Sequence, residues 1–127
     1  DLRGYIAANK ILSLPIRDLT HVERVWMAKV IYHRYVGMKE KKQIEKSIIN
    51  LLTEEQKASS YAVGLGLRFI YIFCGGYPKN LEKIKLKIKK NKLICKIKPE
   101  AKSLMDKEVE RRLKNFANAS NLNYEIV

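Results

Sequence analysis

The spacing of apolar residues changes its period part of the way along this chain of 127 residues. Up to about residue 78 the apolar positions recur every three or four residues, which predicts helices. Residues 83–98 read KIKLKIKKNKLICKIK, and the alternation of lysine with aliphatic residues predicts two strands. The pair Lys90-Asn91 between them predicts a tight hairpin turn. We therefore expect an α+β fold, with a helical layer followed by a small sheet.

Capping signals mark the starts of two helices in the first half. Thr20 with Glu23, and Thr53 with Gln56, have the spacing of capping boxes, in which each side chain bonds a free backbone N–H of its partner. The segment that follows the second box is apolar on nearly all sides and should form the centre of the helical layer. The apolar spacing also predicts helices over residues 1–13 and 44–52.

The second half predicts a β-β-α-β unit. After the two strands, an amphipathic helix is expected over residues 103–120 and a third strand over 122–127. A helix on one face of the sheet would bury alternate strand residues beneath Leu113 and Phe116, and those residues are Ile84, Leu86, Ile88, Leu93, Cys95 and Ile97. The predicted domain boundaries are 1–78 for the helical part and 79–127 for the small unit.

The lysines would then share the other face of the sheet. We call this surface the lysine face, and its predicted members are Lys83, Lys85, Lys87, Lys89, Lys92, Lys96 and Lys98.

Charge is concentrated around these strands. The whole chain has 26 basic and 13 acidic residues, a formal net charge of +13. Residues 79–98 contain nine lysines against Glu82 alone. Such a field attracts polyanions, yet a one-sided sheet also needs a polar outer face, and A/T-rich codon usage favours lysine. Because directly opposed lysines cost stability, the scarcity of glutamate favours a role for the charge, and both interpretations stay open.

Two arginines stand within apolar helical segments. Burying Arg34 or Arg68 there would destabilise the fold unless the side chain is paired with an acidic group or faces a solvated groove. A structural salt bridge and a contact to a bound anion are the two alternatives for each.

The residues that could carry catalysis or hold a metal are few. The sequence contains none of the common hydrolase or phosphate-loop motifs. His21 and His33 are unpromising metal ligands, and we expect no metal site. Cys74 and Cys95 lie in apolar runs, which predicts buried free thiols in a reducing, cytoplasmic compartment. No catalytic constellation emerges, so the residues alone indicate a basic binding or regulatory module.

Two further segments have structural explanations. Gly64-Leu65-Gly66 lies inside a helical pattern and predicts close helix packing rather than a dinucleotide loop. The apolar stretch around Arg68 is too short to span a membrane.

Three stretches of the chain form a recognisable succession: THVER at 20–24 continuing to YHRYVG at 32–37, GLRFIYIFCGGYP at 66–78, and VERRL at 109–113. Their order resembles the C-terminal region of the exopolyphosphatase and guanosine pentaphosphate phosphohydrolase family, especially its alphaproteobacterial type. The chain departs from the family pattern at Val22, where proline is usual, and at Ile70, where alanine is usual.

This resemblance implies a division of labour within a longer parent protein. In the family, two N-terminal actin-like domains carry the phosphate-binding loops, Mg²⁺ and the catalytic carboxylate, and none of these is found in this chain. What is present would be the latter part of a helical HD-like domain and a small terminal α/β domain. These domains help to bind long polyphosphate and to build a homodimer. The chain itself would be non-catalytic, without a cofactor, and joined to the catalytic domains of its parent.

Polyphosphate thus becomes the expected ligand of the lysine face, with Arg34 and Arg68 as further candidates. Polyphosphate has no bases, and residues 83–98 contain no aromatic residue on which a base could stack. The alternatives are a nucleic-acid-binding module and a purely structural dimerisation domain.

Overall fold

The computed structural model describes residues 2–39 and 42–127. It confirms the α+β class. Within the described residues two 3₁₀ helices, Pro78–Lys83 and Pro99–Leu104, accompany the longer elements. These are α1 Arg3–Ser13, α2 His21–Val36, α3 Lys46–Ile49, α4 Glu54–Cys74, β1 Ile84–Lys89, β2 Lys92–Ile97, α5 Lys107–Ala119 and β3 Asn123–Ile126.

The contacts divide the chain into two compact units, residues 1–65 and 66–127. This division falls inside α4, whereas the sequence places a boundary after residue 78. Side chains from the second half of α4 explain the difference, because Phe69 and Phe73 are buried in the core of the second unit.

In the first unit, both predicted capping boxes are confirmed. The Thr20 hydroxyl accepts a hydrogen bond from the Glu23 N–H, and the Glu23 carboxylate accepts one from the Thr20 N–H. Thr53 and Gln56 make the same reciprocal pair at the start of α4. These bonds satisfy backbone donors that a helix start leaves without partners.

Close packing inside the first unit involves Gly64. A Cβ built at Gly64 would lie 2.7 Å from the Cβ of His33 and 2.8 Å from the carbonyl oxygen of Val30. Only glycine therefore lets α4 approach α2 this closely, and the packing explanation of the Gly64-Leu65-Gly66 segment is confirmed at Gly64.

The second unit contains a three-stranded sheet in the order β1-β2-β3 within the described residues. β1 and β2 are antiparallel, and β3 lies parallel to β2. The hairpin turn has positive φ at Lys90 (50°) and Asn91 (60°), as a two-residue type I′ turn requires. The predicted β-β-α-β order of this unit is confirmed.

The core of this unit lies between one face of the sheet and two helices. Leu93, Cys95 and Ile97 of the central strand pack with the end of α4 and with α5, where Leu113 is fully buried. The face that carries these three residues is therefore the covered one, as predicted.

Two residues of β1 contradict the predicted burial. Ile84 is buried, but Leu86 is 38% exposed and Ile88 is 65% exposed. The helices cover the central strand β2, and the edge strand β1 leaves their cover as it runs towards the hairpin.

Two helix boundaries also differ from the sequence-based expectation. α5 begins at Lys107 rather than near residue 103, because the Asp106 side chain accepts a hydrogen bond from the Val109 N–H and caps the helix there. The predicted helix over residues 44–52 is represented by the four residues of α3. None of the helices in the described residues has the length and apolar character that a membrane span requires.

Candidate anion-binding face

Strand register brings most of the predicted lysines together in pairs, whereas Lys87 lies opposite Ile94. Lys85 lies opposite Lys96, and Lys89 lies opposite Lys92. The pairing extends one step beyond the strands, because the Lys98 N–H donates to the Lys83 carbonyl oxygen at 2.9 Å.

The seven lysines share one face of the β1–β2 hairpin. Alternate residues of a strand point to opposite faces, and the intervening Leu93, Cys95 and Ile97 are buried on the helix side. The lysines must therefore point away from the helices. Six of them are exposed, and Lys83, at the end of a 3₁₀ helix, is half-buried.

The spacing of this lysine face follows from sheet geometry. Along one strand, residues on the same face are about 6.8 Å apart, and across a hydrogen-bonded antiparallel pair the Cα atoms are about 5.5 Å apart. Two ammonium groups about 6 Å apart in water repel by about 0.7 kcal/mol. A bound polyanion would remove this repulsion at several pairs at once.

Counter-charge on this face comes from β3. The parallel register places Glu125 beside Ile94, and its carboxylate lies 3.3 Å from the Lys92 ammonium, with both side chains about half exposed. In the described residues no other lysine of the face belongs to an ion pair. Glu125 was missed because its place depends on the pairing of β3, which no local pattern specifies.

Neither of the two predicted arginines belongs to the β1–β2 hairpin that carries the lysine face. Arg68 lies on α4, next to the buried Phe69, and this helix packs on the opposite side of the sheet. Arg34 belongs to the first unit, where its guanidinium lies 4.4 Å from the centre of the Tyr35 ring. Both arginines have interactions with the rest of the chain.

An open depression lies at the hairpin end of the sheet. Its lining is rich in carboxamides and comprises Asn91, Asn118, Asn121, Leu122 and Asn123. Asn123 is the register partner of Lys92, so the depression adjoins the lysine face. Its amide N–H groups can donate to the oxygens of an anion. No periodic pattern along the chain indicates this depression, because its residues come from separate segments.

A second polar cluster lies in the first unit. The Nδ1 atom of buried His33 is 3.0 Å from the Gly37 carbonyl oxygen, and its Nε2 atom is 3.1 Å from the Lys29 ammonium. Since a carbonyl can only accept, Nδ1 must carry the proton and Nε2 must accept from Lys29. The Lys57 carbonyl accepts a further hydrogen bond from Lys29 at 3.2 Å. The arrangement makes His33 a hydrogen-bonded core residue.

The thiols and histidines do not form a reactive centre. Burial raises the pKa of Cys95 to about 11 and raises the pKa of Cys74 above its ordinary value. Both thiols are free and buried, as predicted. His21 is exposed at the first turn of α2. In residues 2–39 and 42–127 no group of three or more His, Cys, Asp or Glu side chains could hold a metal ion.

Together the fold and this face define a basic α+β module with lysines gathered on one face of its sheet. The family model described as exopolyphosphatase, C-terminal, matches residues 1–127, the whole chain, and the protein belongs to that family. No curated protein matches the chain.

Proposed function

We infer that this chain is a polyphosphate-binding, non-catalytic part of an exopolyphosphatase-type hydrolase, and that its lysine face holds the polymer. The observation that carries the proposal is the register, which supports one face with seven lysines around Ile94, and Glu125 as its counter-charge. Membership of the exopolyphosphatase C-terminal family supports polyphosphate as the polymer.

The chemistry of the face suits polyphosphate better than a nucleic acid. Lysine ammonium groups act as mobile point charges and do not need the fixed bidentate geometry of arginine. Binding of single strands with bases relies on aromatic stacking platforms, and residues 83–98 contain no Phe, Tyr or Trp.

The proposal extends to the partners of the chain. A homodimer, and catalytic domains in the same parent protein that use Mg²⁺, are expected of the family that the chain resembles. The buried free thiols are compatible with a reducing compartment, and we place the protein in the cytoplasm. Light scattering coupled to size exclusion tests the homodimer directly, and a monomer at tens of micromolar would count against it.

A competition titration with matched variants tests the ligand. Labelled long-chain polyphosphate is bound at about 150 mM salt, where charges are screened beyond roughly 8 Å, and is displaced by unlabelled polyphosphate, by single-stranded DNA or by short-chain phosphate. We expect long polyphosphate to displace the label best. The variant K85Q/K87Q/K96Q should bind on the order of tenfold more weakly, because three contacts are lost.

The control variant removes the same charge from elsewhere in the same unit. K102Q/K107Q/K114Q changes exposed lysines on the 3₁₀ helix Pro99–Leu104 and on α5, away from the lysine face. It should bind nearly as well as the unaltered chain. Equal losses in the two variants would mean that net charge alone attracts the polymer, and equal displacement by DNA would favour a nucleic-acid-binding module.

A further inference from the structure

β1 is an edge strand whose outer side has no partner strand in the described part of the chain. In an antiparallel pair, each residue directs both its N–H and its C=O either towards the partner or away from it, in alternation. The Lys98 N–H to Lys83 carbonyl bond assigns Lys83, Lys85, Lys87 and Lys89 to the β2 side. Ile84, Leu86 and Ile88 therefore direct their backbone groups outward.

Two of these three outward-directed residues, Leu86 and Ile88, are also left uncovered, whereas Ile84 is buried. Ile88 is 65% exposed and Leu86 is 38% exposed, although their side chains point to the helix side of the sheet. No backbone hydrogen bond outside the β1–β2 ladder involves Ile84, Leu86 or Ile88 in the described residues. The edge thus offers a row of free backbone groups together with aliphatic side chains that lack a cover.

A second copy of the same strand fits this edge poorly. When two such strands pair antiparallel through their outward groups, aliphatic residues oppose aliphatic residues and lysines oppose lysines in every register. Directly opposed like charges destabilise a strand pair, and β1 already faces the lysines of β2. The pattern therefore selects against self-pairing.

We propose that the free edge of β1 binds an extended protein segment in which acidic and aliphatic residues alternate. Such a segment would add a fourth strand to the sheet. Its aliphatic residues would lie opposite Leu86 and Ile88 and cover them, and its carboxylates would lie beside Lys85 and Lys87, which belong to no ion pair in the described residues. The proposal goes beyond polyphosphate binding and does not rest on it.

Protection of the edge by its lysines is the competing explanation. Lysines on edge strands commonly prevent aggregation, and this accounts for the charge. It does not account for Ile88, since a protected edge gains nothing from a large exposed aliphatic residue whose backbone groups are free. A partner of opposite charge explains both features.

The probe is a capped peptide, Glu-Val-Glu-Val-Glu-Val-Glu, titrated into the ¹⁵N-labelled full chain. We expect shifts and slowed exchange centred on the amides of Ile84, Leu86 and Ile88. The valines of the peptide would donate their N–H groups to β1 and accept hydrogen bonds from it. N-methylation of the valines removes these donors and should therefore weaken binding about tenfold or more. N-methylation of the glutamates, whose N–H groups point away from β1, should change it by roughly threefold at most.

A substitution in the protein, in place of a change in the peptide, tests the same edge. Ile88→Pro removes an N–H that points away from β2, a position where edge strands accept proline. It should leave the β1–β2 amide shifts in place and weaken the peptide about tenfold. Ile88→Val keeps the N–H and most of the apolar surface, and it should bind within about threefold of the unaltered chain.

Several results would overturn the proposal. One is equal affinity for the block peptide Glu-Glu-Glu-Glu-Val-Val-Val, which has the same charge without alternation. Others are insensitivity to N-methylation of the valines, an absence of binding at millimolar peptide, or pairing of β1 with a second copy of the chain. A supporting result would come from K85Q/K87Q/K96Q. If this variant loses polyphosphate binding while its peptide binding is still weakened by N-methylation of the valines, the peptide binds at the edge of β1 and independently of the polyphosphate site.

Discussion

At the scale of single residues, the environment of Cys95 couples folding to pH. The side chain is fully buried against the core, and burial raises its pKa to about 11. The folded chain therefore keeps the thiol proton at a pH where the unfolded chain, with a thiol pKa of about 9, has lost it. Because the folded state then binds more protons, stability falls as the pH rises through this window.

We predict that the stability advantage of the unaltered chain over Cys95→Ala shrinks between about pH 9 and pH 11. The full effect amounts to roughly 3 kcal/mol, taken from a shift of about two pKa units. Urea titrations of both proteins across this range measure it. Cys74→Ala is the comparison variant. Burial also raises the pKa of Cys74, so the stability difference between this variant and the unaltered chain should change with pH in the same direction. A difference between Cys95→Ala and the unaltered chain that stays constant with pH would contradict the prediction.

Two glycines of α4 provide a second comparison between single residues. Both Gly64→Ala and Gly66→Ala gain about 1 kcal/mol of helix propensity. At Gly64 the new Cβ meets the Val30 carbonyl oxygen at 2.8 Å, whereas at Gly66 it meets the ring edge of Phe116 at 2.9 Å. The carbonyl oxygen is fixed in the backbone of α2, whereas the half-buried Phe116 ring can rotate to make room for the new methyl group.

We expect Gly64→Ala to lower the free energy of unfolding by up to about 2 kcal/mol, since overpacking costs about 1 to 3 kcal/mol and the helix gain returns about 1 kcal/mol. Gly66→Ala should change the free energy of unfolding by close to zero. Denaturant unfolding followed by circular dichroism measures both. Similar values for the two variants would show that α2 yields as easily as the Phe116 ring.

At the scale of elements, caps and register decide where each helix and strand begins. Asp106 places the start of α5 four residues after the point that the amphipathic pattern indicates, because the preceding residues form a 3₁₀ helix. α5 supplies Leu113 to the core of the second unit, so its cap contributes to the stability of the sheet.

We predict that Asp106→Ala lowers the free energy of unfolding by about 1 kcal/mol, the usual effect of removing an N-cap acceptor. Asp106→Asn keeps an oxygen that can accept from the Val109 N–H and should lose much less. Urea titration of the two variants at neutral pH distinguishes them. Equal losses would assign the effect to the charge of Asp106 at the helix start rather than to the hydrogen bond.

At the scale of the whole molecule, the net charge of +13 makes any binding of a polyanion depend on salt. The question is how much of this dependence belongs to the lysine face. For a single-stranded polyanion, each neutralised charge contributes about 0.7 to the slope of log affinity against log salt.

We predict that K85Q/K87Q/K96Q makes this slope shallower by about 2 for polyphosphate, since three contacts are removed. K102Q/K107Q/K114Q has the same net charge and should leave the slope nearly unchanged. Titrations at four or five salt concentrations give the slopes. A decrease of the same size in both variants would mean that the polymer responds to the overall field.

Local sequence patterns determined the elements of this protein because they depend on neighbours along the chain. The reciprocal bonds of Thr20 with Glu23 and of Thr53 with Gln56 span three residues, and the Lys90-Asn91 turn joins adjacent strands. The alternation of lysines with Leu93, Cys95 and Ile97 likewise specified which face would be charged, since side chains alternate along any strand.

Tertiary structure alone decided the features that depend on distant segments. The parallel register of β3 brings Glu125 to Lys92, and the packing of α4 places Arg68 on the side of the sheet away from the lysines. Leu86 and Ile88 share the periodicity of the buried residues, yet they are exposed because the helices cover β2 and not the hairpin end of β1. An alternating pattern specifies the face of a strand, but the cover over that face depends on which elements pack there.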